Sequence, residues 1–178
     1  MMQGRAVMVG WKKSWTSAAS TYVAELGSDT VWLGRLGSGG AHWNPDYLAL
    51  GMAANLEPGA QFDAVRWRAA MGPTGAGAAL GKGIGDAVLA KFQKEIEETA
   101  QRYEAAGRDA IHHKANLERP RAEFASGTLV DKLPGTAPAA LKNMDGPILQ
   151  ATLGGKSWFL LGVPGAASIE EFWNATRT

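Results

Sequence analysis

The chain has 178 residues and a mass of 18.8 kDa, with 46% hydrophobic and 20% charged residues and a formal net charge of +1. It is long enough for a proper hydrophobic core, and its near-neutral charge gives no general attraction for nucleic acid or anionic lipid. Cysteine is absent, which excludes a disulfide framework, a thiol nucleophile and thiolate-bound zinc or iron–sulfur clusters.

The sequence "MMQGRAVMVGWKKSW" has a short apolar run before Lys12 and Lys13, without the ordered basic, apolar and small-residue regions of a secretory signal. From residue 14 to 26, Trp15, Ala18, Ala19, Tyr22, Val23 and Leu26 recur at three- and four-residue steps and Gly27 follows. That spacing predicts a short amphipathic helix. "DTVWLGRLGSGG" reads as a strand running into a flexible turn, residues 46–55 as a short helix bounded by prolines, and "QFDAVRWRAAMG" as a strand. Residues 72–85 are a glycine-rich loop. The N-terminal region 1–71 is thus a mixed helix and strand region.

Residues 86–117 read as one long helix. Leu89, Phe92, Ile96, Thr99, Tyr103, Ala106 and Ala110 form a narrow apolar stripe, and Lys91–Glu95, Lys94–Glu98, Glu98–Arg102 and Glu104–Arg108 sit four apart on the other face. At 1.5 Å per residue it would be roughly 45 Å long. Pro120 opens a turn-rich stretch. "ILQATL-GGK-SWFLLGV", Ile148 to Val163, reads as a β-hairpin whose second strand is apolar enough to be buried on both faces. Ser168 and Glu171 have the capping-box spacing of a short terminal helix, docked by Phe172 and Trp173. The expected fold is α+β, a single domain over 1–178: one long helix packed with a small, mostly antiparallel sheet, several long Gly/Pro-rich loops, and a hairpin and terminal helix over 146–178.

The chemistry-bearing patterns are few. Gly81-Lys82 lacks the following Ser or Thr of a phosphate loop, and "GGKS" at Gly154–Ser157 lies between two strands where that loop needs a strand and then a helix. Gly77, Gly81 and Gly85 are spaced as in close-packed membrane helices, but Pro73, Lys82 and Asp86 interrupt the pattern. Among ionisable groups, Asp109, His112 and His113 form the one acid–base or metal candidate, with Asp109 and His113 four apart on the expected helix. Glu95, Glu97 and Glu98 have basic partners a turn away and read as a solvated face. "WKKSW", Trp11 to Trp15, offers aromatic anchors either for the protein's own core or for a base, a lipid interface or a protein partner. No cofactor or metal is expected, and no catalytic motif is present.

The charged helix followed by "RPRAEFASGTLVDKL" resembles the neck and tail-completion proteins of tailed phages, through Arg119, Arg121, Ala122, Ser126, Gly127 and Leu129, within a stretch from Asp86 to Leu133. The resemblance implies a non-catalytic virion subunit that joins head to tail or completes the tail, made in the host cytoplasm and assembled with copies of itself in a ring and with other virion proteins. The residues expected to face those partners are Trp11, Lys12, Lys13, Trp15, Gly77, Gly81, Lys82, Gly85, Phe172 and Trp173. Neither a small-molecule substrate, a membrane nor nucleic acid is expected as a partner. The alternatives are a small soluble enzyme using Asp109, His112 and His113, and a membrane- or nucleic-acid-associated module using "WKKSW" and the glycine-rich segment.

Overall fold

The computed structural model describes residues 5–14, 19–38, 91, 94–95, 98–138, 141, 146–162 and 168–178. The helix and strand expected between 46 and 72, the glycine-rich loop with Gly77, Gly81, Lys82 and Gly85, and Trp15 lie outside these residues. The described strands are β1 (Arg5–Lys12), β2 (Ser20–Leu26), β3 (Thr30–Ser38), β4 (Leu117–Pro120), β5 (Thr128–Val130), β6 (Ile148–Leu153) and β7 (Lys156–Gly162). Helix α1 covers residues 98–106, α2 is Arg121–Ala125 and α3 is Ile169–Arg177. The protein is mixed α+β, with a curled, seven-stranded antiparallel sheet of order β4-β3-β2-β1-β7-β6-β5.

The curl follows from connectivity. Strands β4 and β5 are at opposite edges of the sheet, yet only residues 121–127 join them. Six strand spacings in a flat sheet are about 29 Å. A link containing a five-residue helix spans under about 20 Å, so the edges must turn toward each other. Side chains then fasten the closure: the Arg119 guanidinium of β4 packs against Gly154 in the β6–β7 turn, and the Gly154 N–H donates to Glu123 Oε2 of α2 at 2.9 Å.

Both faces of the sheet are buried, which explains the strands' nearly continuous apolar sequences. Facing the hollow are Met8, Tyr22, Val31, Leu33, Leu149, Trp158 and Leu160, plugged by Phe124 of α2 with Ile169 and Phe172 of α3. Phe124 and Phe172 meet edge to face at 5.9 Å, the arrangement that ring quadrupoles favour. On the outer face Val7, Val9, Trp11, Val23, Trp32, Leu36, Phe159 and Leu161 are covered by Tyr103 of α1 and by Ile111, Ala137 and Leu141.

Several local expectations hold. The hairpin turns on Gly154 and Gly155, with φ of 57° and 76°, a backbone that needs glycine and explains "GGKS" without a nucleotide. Trp158, Phe159, Leu160 and Leu161 of β7 are all buried. The Ser168 hydroxyl accepts the Glu171 N–H at 3.0 Å, capping α3 as its spacing predicts. Strand β3 lies where β-branched and aromatic residues placed it.

Two helices are corrected. The helix expected over 14–26 is a strand over Ser20–Leu26. Thr21-Tyr22-Val23 favours extended backbone, and a strand buried on both faces is apolar at almost every position, so a helical subset of positions can always be picked from it. The long helix of 86–117 is also not formed, since among the described residues the helix ends at residue 106. Gly107 adopts φ 65° just after α1, the left-handed conformation that ends helices, and Gly107–Ala110 tightens into a 3-10 turn. The chain is then extended at Ile111 and enters β4 at Leu117. Strands β1, β4 and β5 join a sheet larger than the small one expected.

At Gly127 the chain passes so close to β6 that a Cβ would stand 2.8 Å from the Gln150 carbonyl oxygen and 3.0 Å from that of Phe124. Backbone atoms cannot move aside cheaply. Gly127→Ala is expected to destabilise the fold by about 1–3 kcal/mol, whereas Gly135→Ala, whose Cβ meets nothing within 4 Å, should change it by under about 0.5 kcal/mol. Urea unfolding of the two variants tests this; equal midpoints would contradict the close approach.

Candidate functional site

The densest polar arrangement among the described residues is on the outer face of the sheet. Strand register sets Arg5 opposite Glu25, Glu25 opposite Trp32 and Trp32 opposite Glu118, so one row crosses four strands. Tyr103 from α1 and Arg108 from the 3-10 turn close over it. The Tyr103 hydroxyl and the Arg108 Nε both donate to the Glu25 carboxylate. Arg108 Nη1 also reaches Glu118 Oε1 at 3.5 Å, and its guanidinium lies 5.1 Å above the Trp32 ring. Trp32 stacks on Tyr103 at 6.2 Å, and Arg5 covers the Tyr103 ring at 5.2 Å. Arg108 therefore bridges two carboxylates across the aromatic ring between them.

The electrostatics follow from these contacts. Burial pushes the Glu25 carboxyl upward, but the hydrogen bonds from Tyr103 and Arg108 and the charges of Arg108 and Arg5 outweigh it and hold its pKa below the usual carboxylate value. Tyr103 is raised well above an ordinary phenol, first by burial and then by the Glu25 carboxylate. At neutral pH Glu25 is charged and Tyr103 keeps its proton. The row is thus suited to docking α1 and the 3-10 turn rather than to exchanging protons near neutrality.

A second cluster stands where residues 39–90 join the described fold. Arg35 Nη1 of β3 pairs with Glu95 Oε1 at 3.1 Å, with the arginine side chain only 12% exposed. Asn116 Oδ1 accepts the Arg35 backbone N–H at 2.9 Å while its Nδ2 donates to the Ile111 carbonyl at 2.8 Å. The side chain stands in for a strand just beyond the last β3–β4 pair, Leu33 with Leu117. His113 lies nearby, its Nδ1 accepting from the Ala115 N–H at 3.0 Å. Burial, with Arg35 and Lys114, lowers its pKa against the opposing pull of Glu95.

The third cluster belongs to Arg121. Its Nε donates to the Thr176 carbonyl at 3.1 Å, Nη2 to Ala175 at 2.6 Å, and Nη1 to Ser28 at 3.2 Å and Gly27 at 3.4 Å. One guanidinium fastens the C-terminal end of α3, where the helix dipole favours a cation, to the β2–β3 turn. An open groove of about 550 Å³ runs beside it, lined by Asp29, Ala122, Thr176 and Arg177 among others.

The expected site residues separate. Trp11 is fully buried beside Phe159, with ring centres 5.6 Å apart, and Phe172 is fully buried under Phe124. Both lie in the described core rather than on the open surface expected for partner contacts. Lys12 is half-buried and Lys13 exposed, its N–H bound to the Ser157 carbonyl at 2.8 Å. Trp173 is half-buried beneath Arg177 at 4.6 Å. Asp109, His112 and His113 do not form the expected pair, because the first is in a 3-10 turn and the histidines follow in non-helical backbone. No group of three or more His, Asp or Glu among the described residues could hold a metal ion.

The row escaped sequence reading because it needs β1 and β4 as strands, and Arg108 was paired with Glu104 on a helix that has already ended. The residues on which the resemblance was drawn have local roles in the fold: Arg119 packs on the β6–β7 turn, Arg121 ties α3 to the β2–β3 turn, Ser126 Oγ donates to the Glu123 carbonyl at 3.1 Å, Gly127 allows the close approach, and Leu129 pairs with Leu149. Ala122 lines the groove. No family model, curated protein or solved structure matches this chain. No helix among the described residues is long and apolar enough to cross a membrane.

Two predictions follow from these contacts. Because the folded pKa of Glu25 lies below its unfolded value of about 4.3, the unfolded chain takes up the proton first as pH falls. The row's contribution is complete above about pH 5 and is lost as pH falls through the folded pKa. Thermal unfolding from pH 7 to 2 should show a shallower acid loss in Glu25→Gln than in the wild type, and parallel curves would refute the assignment. Arg121→Ala should cost roughly 2 kcal/mol, with Arg121→Lys restoring less than half because a point charge cannot match the planar fork. Full rescue by lysine in urea titrations would mean that charge alone matters there.

Proposed function

We propose that this protein is a non-catalytic structural subunit of a tailed-phage virion, at the neck or tail, acting through contacts with copies of itself and with other virion proteins. The observation that carries the reading is the Arg35–Glu95 pair. This half-buried pair ties the end of β3 to Glu95, the two described sides of the stretch 39–90. Asn116 and the Glu25 row brace the same region from the strand side and from α1.

A long sequence stretch rich in glycine and low in charge is of the composition expected of a segment that takes its shape against a neighbouring subunit. The tail and neck resemblance of residues 119–129 supplies the class of assembly. Its virion location is part of the same proposal.

Sedimentation over a wide concentration range tests the reading, with electron microscopy of any large species. A ring or a concentration-dependent oligomer is expected. Glu95→Ala, which leaves Arg35 uncompensated, should weaken association at least tenfold while moving the melting temperature by only a few degrees. A full-length chain that stays monomeric throughout, or a Glu95→Ala variant that associates as the wild type does, would argue against assembly through this region.

A further inference from the structure

The order of strands divides the sheet into two contiguous halves. Residues 5–120 supply β4-β3-β2-β1, and residues 128–177 supply β7-β6-β5 with α3. The halves meet along one ladder between central strands, where Met8 faces Gly162, Val9 Leu161, Gly10 Leu160, Trp11 Phe159 and Lys12 Trp158. Their covalent connection is at the far edges, through residues 121–127 alone.

We infer that the two half-sheets can be exchanged between copies, so that the edge of β1 in one copy is completed by β7 of a second copy. This rests on the assembly reading above and names the partner and the surface. The contacts that join the halves are Trp11 with Phe159 across the ladder, Phe124 with Phe172 in the hollow, Arg119 and Glu123 on the hairpin turn, and Arg121 on the end of α3. Every one is between residues on opposite sides of the Ser126–Gly127 junction. In an exchanged pair each would re-form between chains with the same geometry, and only the junction would change conformation. Exchange of identical elements is a low-cost route to oligomers for this reason. The junction is also tight, since Gly127 is pressed against both β6 and the end of α2. A short, crowded connection favours opening over self-closure, and lengthening it favours the closed monomer.

The chain has no cysteine, so a cysteine pair across the ladder reports where its partner strand comes from. Val9→Cys/Leu161→Cys and, separately, Met8→Cys/Gly162→Cys are made in the full chain. Each is folded at high concentration and oxidised, or bridged with a short bis-thiol reagent where the sulfurs do not couple. The products are read in denaturant without reductant, beside sedimentation of the untreated sample. Exchange predicts that covalent dimers or larger ladders dominate, and that six Gly/Ser residues inserted after Ser126 lower their yield several-fold. Linkage within single chains, in a sample that still sediments as an oligomer, overturns exchange and leaves assembly standing. Linkage within single chains in a monomeric sample overturns both.

Discussion

The link between β4 and β5 is the constraint on which the rest of the structure depends. Because residues 121–127 cannot span a flat seven-stranded sheet, the sheet must curl, and curling creates a hollow that water would fill unless apolar side chains did. Phe124 is on the link itself, so the segment that imposes the curl also supplies part of the plug. Burying a ring of this size contributes about 1.5–3 kcal/mol. From within or beside the link, Arg119 and Glu123 reach the β6–β7 turn and Arg121 reaches the β2–β3 turn and the end of α3.

Closure on one side forces a different solution on the other. The outer face carries Val7, Val9, Trp11 and Trp32, too apolar to face water, and α1 with the segments around Ile111 and Ala137 covers it. Helix α1 ends at Gly107, so apolar packing alone fixes its C-terminal end poorly. The Glu25 row adds direction: a carboxylate between two donors and a guanidinium over an indole ring admit one orientation of the helix end. Desolvation and charge pairing oppose each other at Glu25, and the lowered pKa shows that pairing prevails. The row therefore favours the docked state at neutral pH.

Local chemistry was legible in the sequence wherever a short stretch decides its own conformation. The Gly154-Gly155 turn, the Ser168 cap and the apolar run of β7 needed no knowledge of the remainder of the chain. The core of the fold was not legible for the opposite reason. In β1 and β2 both faces are buried, so the two-residue alternation that marks a strand vanishes and Trp15 to Leu26 can mimic a helix. The apolar stripe through Tyr103, Ala106 and Ala110 runs smoothly across Gly107, and only that glycine's left-handed backbone breaks it. Arg121 and Arg119 stood out as part of a resemblance, but their partners lie 35 to 94 positions away in the chain, beyond what spacing can reveal.

The same topology bears on the exchange proposed above. A sheet whose first and last strands pair at its centre has no completed core until the final hairpin arrives, because β1 waits for β7 across most of the chain. During that interval the edge of β1 is an apolar strand with Val7, Val9 and Trp11 on one side and Met8 on the other, and it is satisfied equally well by its own hairpin or by that of a neighbour. At low concentration the covalent link presents the chain's own β7 at a high effective concentration, and this outweighs the strain of the crowded junction. Where copies are crowded together, the neighbour competes on nearly equal terms, since every contact across the ladder is the same. Association and the completion of the fold would then be one event, governed by the crowded junction at Gly127.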